Sequence, residues 1–422
     1  MFVFRDVADS TVTRLVKRLG VSAVGSYSVS VASFLVSAAL IPVLPPSEYG
    51  FFAFILVMVH FGITITNATV ATPLSVLLNQ NRPDRWALYH VLRKVNFLSA
   101  CGFFAVVLFV GWWFAGDGWA MLLMACYAFL FSVRWFARSL EYALSQPKRA
   151  AIADLIYSVV LIGAVATLGL SGRLDLFTIS GALVLGAGGS LAYLFLAGSK
   201  APRPDGPVRL HPYREIWSSQ AGWSLVGVTS TEMTVNGHAY LVLLVAGPQG
   251  FAPLAVAMLC WRPVTSLFPS LTLLERPVMA RQLANNNVAG AWRSVRDFQF
   301  LALTVILANL LVLVAAWYLF QDQIEALPYT QADLVLAVSL WFVTILIRSV
   351  RLAESAFIQA ARRFRELAWQ GVYAFPVSLG GVALLLTMFD PVVSLIGIIA
   401  GEIALAAGIR ILTRKVLNDA AA

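Results

Sequence analysis

The sequence predicts an all-α integral membrane protein of about 12 transmembrane helices, arranged as two six-helix halves around a central cavity. Three observations predict it. Hydrophobic residues make up 59% of the 422 positions and charged residues 12%, about half the usual charged share. The apolar residues fall into runs that each supply the ~20 residues needed to cross a bilayer core. The string R-x-x-E-x-x-x-x-Q occurs twice, from Arg138 through Glu141 to Gln146 and from Arg351 through Glu354 to Gln359, offset by 213 residues, about half the chain.

Taken in order, the runs cover approximately 21–43, 49–78, 95–115, 119–145, 152–170, 176–198, 218–245, 251–275, 298–320, 332–358, 367–388 and 391–412. Their length excludes strands, and a helix alone satisfies every backbone polar group of a lone span in lipid. Before the first run, Val12, Leu15, Val16 and Leu19 form an apolar stripe suited to the inner membrane surface. Lysine and arginine set the direction of threading. With both termini inside, inner segments hold 23 of them and the outer loops hold Arg173. The longest inner segment, 199–217, contains Pro202, Pro204, Pro207 and Pro212. It divides the chain into a first half, 1–198, and a second, 218–422. Gly50-Phe51 opens the second span and Gly250-Phe251 the eighth. Arg93-x-x-x-Phe97-Leu98 and Arg296-x-x-x-Phe300-Leu301 open the third and ninth. Both halves start inside, so the repeat is parallel.

Composition also excludes several functions. The net charge of +9 follows from the inner loops and implies no nucleic-acid partner. Cys101, Cys126 and Cys260 lie scattered in apolar runs, with no disulfide framework and no metal-ligand spacing. No phosphate-binding P-loop and no nucleophile-base constellation is present, and the loops are too short for a catalytic domain. The protein is therefore expected not to be an enzyme and to need no cofactor beyond a coupling proton or Na⁺.

The charges within the spans are the features that call for explanation, because a cation in hydrocarbon costs roughly 2.5–3.5 kcal/mol on insertion scales. Arg134, Arg138 and Glu141 share one helical face, as nearly do Arg348, Arg351 and Glu354. Arg138–Glu141 and Arg351–Glu354 have the i, i+3 spacing of salt bridges, with the stems snorkelling inward. Arg134 and Arg348 are deeper and lack an acid one turn away, so a place in a wet cavity is expected for them. Asn67 in the second span, Glu232 and Asn236 in the seventh and Arg262 in the middle of the eighth extend a polar lining. Glu232 is the acid well inside the seventh span and a candidate for binding the coupling proton or Na⁺, with a structural pair to a buried arginine as the alternative. Asp154 reads as a helix-start charge near the inner surface, and Glu402 as a mid-span acid with a neighbouring partner.

The segment from Ser28 to Leu78, with Ile41-Pro42, Pro46-Ser-Glu48-Tyr49-Gly50 and the polar run Thr64–Pro73, resembles the opening of bacterial polysaccharide flippases. These are the O-antigen and exopolysaccharide translocases of the multidrug/oligosaccharidyl-lipid/polysaccharide exporter superfamily. It departs from them in having Pro45-Pro46 before the turn. The resemblance implies a multi-pass protein of the bacterial inner membrane that moves an undecaprenyl-diphosphate-linked oligosaccharide by alternating access. It also implies membrane lipids and polysaccharide polymerase or export proteins as partners. On that reading Arg134, Arg138, Arg262, Arg348 and Arg351 grip the diphosphate, and Asn67 and Asn236 hold sugar. Two other readings remain. One is a cation-coupled exporter of drugs or other small molecules on the same fold, against which stands the lack of any acid in 21–43. The other is a non-transporting membrane component of glycan assembly, which leaves the deep charges as unexplained cost.

Overall fold

The computed structural model describes residues 25, 27–79, 83–114, 118–202, 204 and 206–419. The apolar stripe expected within 1–20 lies outside them, as do Ser22 and Ser26 of the first run. The described residues form helices joined by short turns, and ten of those helices are long and apolar enough to cross a membrane. We number the major helices α1 Tyr27–Leu40, α2 Pro46–Leu78, α3 Arg85–Phe114, α4 Gly118–Ala143, α5 Pro147–Leu170, α6 Leu176–Ala197, α7 Gly222–Cys260, α8 Arg262–Ala284, α9 Val288–Leu319, α10 Gln331–Ala360, α11 Phe364–Met388 and α12 Pro391–Asp419. Two expected spans meet inside α7. Gly247 (φ 69°) breaks it, in a left-handed conformation that glycine adopts without steric cost, and Pro248 follows. The eighth span therefore runs from there, past a second break at Trp261, through α8.

The chain divides into two compact units. One comprises Met58–Leu225 with the described part of Met1–Val43, and the other comprises Leu44–Val57 with Val226–Ala422. In the first unit α4 packs on α3 and α6, and α5 on α6. In the second, α10 packs on α9 and α12, and α11 on α12. The same neighbours recur six helices apart, as an internal repeat requires. The α11–α12 approach is close enough that a Cβ on Gly397 would lie 2.3 Å from the Val382 nitrogen, the small-residue packing typical of helices in lipid.

The inner turns repeat as well. Ser145 (φ 57°) ends α4 and Arg362 (φ 62°) ends α10. In both, the next residue's amide reaches back five positions, Gln146 to the Glu141 carbonyl and Arg363 to the Ile358 carbonyl, the closure of a Schellman cap. These turns are offset by 217 residues and the R-x-x-E strings by 213, so α10 runs one helical turn further beyond its string. Glu141 thus stands at its helix end, and Glu354 one turn deeper.

In the first unit the polar point of α2 is a π-turn, Asn67–Ala71. Such a turn disturbs the helical ladder and leaves polar groups to be met from outside. Asn67 Oδ1 accepts from Trp135 Nε1 (2.7 Å), and the Thr69 carbonyl accepts from Tyr213 Oη (3.1 Å). The proline-rich segment before Tyr213 is tied to α3, where Lys94 Nζ donates to the Val208 carbonyl (3.1 Å) and His90 Nε2 meets the Pro202 carbonyl (2.8 Å).

Candidate functional site

In the first unit, α4 places Arg134 and Arg138 one turn apart, facing α5 and α6. Arg134 Nη2 donates to Asp154 Oδ1 (2.5 Å) and its Nε to Ser190 Oγ (2.7 Å). Arg138 Nε donates to Asp154 Oδ2 (2.9 Å). One carboxylate on α5 thereby bridges two guanidiniums, and the Ser190 hydroxyl donates its own hydrogen bond to the Ala153 carbonyl (2.6 Å). Arg138 Nη2 also donates to Tyr142 Oη (3.3 Å), and aromatic faces pack on both guanidiniums. The Arg134 guanidinium lies 4.7 Å from the Tyr157 ring centre and 5.1 Å from that of Phe131, and Arg138 lies 4.6 Å from Trp135. Each such contact is worth up to about 2 kcal/mol when desolvated. Arg134 and Asp154 side chains are 1% exposed.

This corrects three expectations. Arg138 takes Asp154 as its carboxylate partner in place of Glu141, and Asp154 is a buried bridging acid and not a solvated helix-start charge. Arg134, expected at a wet cavity, is sealed. Glu141 instead accepts from the Ser199 amide (2.5 Å) and Ser199 Oγ (2.9 Å), which closes the end of α6.

The second unit repeats the motif with different parts. Arg348 Nε and Arg351 Nε donate to the two oxygens of Glu402, each at 2.8 Å, and Arg351 Nη2 adds a longer contact to Oε1 (3.4 Å). Glu402 thus has the partner its mid-span position called for, but Arg351 is not paired with Glu354. Glu354 binds Arg410 of α12. Arg262 opens α8 directly after the Trp261 break and so stands at a helix start, not in the middle of a continuous helix. It lies near Tyr49. Trp261 is buried and donates to the Val338 carbonyl (3.1 Å).

Glu232 differs from the other acids within the spans. It is half-buried, its Oε1 accepts from Asn236 Nδ2 (2.6 Å), and Tyr240 continues the same helical face. Among the described residues no arginine or lysine lies within ion-pair distance of it. The structure therefore brings Glu232 and Asn236 together, joins Asn67 to the Arg138 network through Trp135, and holds four of the five predicted arginines in two carboxylate-bridged clusters. The sequence reading did not foresee Ser190, Ser199 and Arg410. Ser190 is one serine among many in apolar helices, and nothing local distinguishes it.

Two six-helix repeats built from long apolar helices define a multi-pass membrane protein. No protein-family profile and no curated protein matches the sequence. Among solved structures the chain is similar to an inward-facing conformation of a multidrug resistance MATE family transporter of the MOP superfamily, at 13% identity over 95% of each chain with a TM-score of 0.66. It is similar to an outward-facing conformation of such a transporter at 16% identity over 96% of each chain, with a TM-score of 0.60. It also resembles a mutant of the Vibrio cholerae MATE transporter VcmN, at 14% identity over 97% of this chain and 98% of that one, with a TM-score of 0.59. The chain has the MATE transporter fold of 12 transmembrane helices.

Proposed function

We propose that the protein is a secondary transporter of the bacterial inner membrane that exports small organic cations by alternating access, driven by proton or Na⁺ entry at Glu232. The observation that carries this is the full-length likeness to transporters of that fold in both inward- and outward-facing conformations. The charges support the same choice. Four deep arginines that could grip a diphosphate are already engaged by Asp154 and Glu402. Among the described residues Glu232 has no such partner, and a half-buried carboxylate beside an amide is a site for a proton, Na⁺ or an organic cation. Asn236 serves as the polar neighbour of Glu232, and Asn67 as the acceptor for Trp135. Arg134, Arg138, Arg348 and Arg351 act as positioning residues that lock α4 to α5 and α6, and α10 to α12.

The reading as a lipid-linked oligosaccharide flippase stays second. What favours it is that each cluster sets two guanidiniums against one carboxylate and keeps a surplus positive charge, together with the Pro46–Gly50 turn. The deciding experiment uses proteoliposomes with an imposed pH or Na⁺ gradient. The expected result is gradient-driven movement of ethidium, reduced at least about tenfold by Glu232→Gln, the scale of a lost charged hydrogen bond. Movement of labelled undecaprenyl-diphosphate oligosaccharide with no movement of ethidium would reverse the ranking.

A further inference from the structure

On the flank of the second unit, α9, α10 and α12 enclose a groove of ≈ 460 Å³. Its walls are Ile347 and Val350 of α10 and Ile403, Ala406 and Ala407 of α12. The two alanines leave the space. Val350 and Ile403 are 47% and 53% exposed, so the groove opens outward along an apolar surface. In a membrane-spanning unit such a surface meets hydrocarbon.

The polar side chains of the groove are Gln299, Arg351, Glu354 and Arg410. Arg410 lies near the inner end of its apolar run, pairs with Glu354 and stacks over Trp292 at 5.5 Å. Its side chain is nevertheless 48% exposed. Arg414 also faces Glu354. Arg351 shares Glu402 with Arg348. In the groove itself two guanidiniums, Arg351 and Arg410, stand against the one carboxylate of Glu354, with Arg414 adding a third positive charge nearby, a surplus of positive charge toward the inner end of α12. That surplus is costly against hydrocarbon alone and is relieved by a phosphate oxygen, which arginine binds through paired N–H donors. Basic pockets between helices on the cytoplasmic side suit anionic headgroups.

We propose that this groove is a binding site for an anionic phospholipid of the cytoplasmic leaflet. The phosphate sits at Arg410 beside Arg351, and one acyl chain lies along Val350, Ile403 and Ala407. The lipid then completes the surface of the second unit and fixes α12 against α9 and α10. This holds whichever molecule the protein carries.

The test is native mass spectrometry of the full chain in mild detergent, titrated with phosphatidylglycerol or phosphatidylcholine. Two variants separate the two parts of the site. Ala407→Trp fills the groove without changing charge, at a position already exposed to the membrane. Arg410→Gln removes charge but leaves Glu354 a hydrogen-bond donor. Phosphatidylglycerol is expected to be retained in preference to phosphatidylcholine; Arg410→Gln is expected to weaken that retention about tenfold, as loss of one charged contact does, and Ala407→Trp to weaken it by occupying the space of the acyl chain. Glycerol phosphate is expected not to compete. Equal retention of the two lipids, unchanged retention in Ala407→Trp, or displacement by glycerol phosphate each overturns the proposal. If Arg410→Gln does not fold, Ala407→Trp decides alone.

Discussion

The two arginine clusters solve one problem in two ways. In the first unit the bridging acid comes from α5, as Asp154, and α6 contributes only Ser190. In the second unit the acid comes from α12, the counterpart of α6, as Glu402. Carrying the 213-residue offset back from Glu402 leads to Gly189, next to Ser190. Carrying it forward from Asp154 leads to Leu367, which packs on the apolar cluster of Ile358, Ala374 and Leu405. The repeat therefore preserves the two guanidiniums and the presence of one carboxylate, but not the helix that provides it. What is required is charge neutralisation between two neighbouring helices, since losing one partner of a buried pair leaves a desolvated charge that costs several kcal/mol. The clusters also differ in their surroundings. Aromatic rings pack on Arg134 and Arg138, whose side chains are 1% and 10% exposed, whereas Arg348 and Arg351 are 12% and 6% exposed.

That comparison can be broken most easily at the acids. Asp154→Asn leaves Arg134 and Arg138 without an anion in a sealed site. It is expected to destabilise the folded protein by about 3–5 kcal/mol, seen as loss of monodisperse material in detergent size-exclusion and a large fall in melting temperature. The charge swap Arg138→Glu with Glu141→Arg places a carboxylate beside Asp154. It is expected to melt no higher than Arg138→Glu alone, whereas an i, i+3 bridge would make the double variant recover. Glu402→Gln follows, at about 2–3 kcal/mol, because neither of its arginines is as fully enclosed as Arg134. An equal or larger loss than for Asp154→Asn would show that the degree of enclosure does not set the cost of removing the acid.

A transplant sharpens the comparison further. Asp154→Leu combined with Ser190→Glu moves the first unit's acid to the helix used by the second. It is expected to recover about 1–2 kcal/mol relative to Asp154→Leu alone, the worth of restored charged hydrogen bonds. No recovery would mean that α5 and α6 are not interchangeable as donors of the acid. The smallest effect is expected from Glu141→Gln. This retains an acceptor for the Ser199 amide and is expected to lower stability by about 1 kcal/mol, without altering either arginine cluster.

The sequence by itself determined the spans, their direction and the repeat. Hydrocarbon permits few alternatives to long apolar helices, and inner loops accumulate lysine and arginine whatever the packing. It also marked the arginines that matter, because a cation inside an apolar run stands out locally. It could not choose their partners. Glu141 and Glu354 were near in sequence, while Asp154 and Glu402 were nearer in space, and only the packing of α4 on α5 and of α10 on α12 brings those atoms to within 3 Å. The break at Gly247 and the second at Trp261 were hidden for the same reason, since the composition of α7 and α8 is apolar on both sides of them. That no described arginine or lysine pairs with Glu232 was equally a tertiary matter, since an acid in a span reads the same in sequence whether or not a distant guanidinium reaches it. Long-range ion pairing depends on which helix faces meet, and one chain's residue order does not record that.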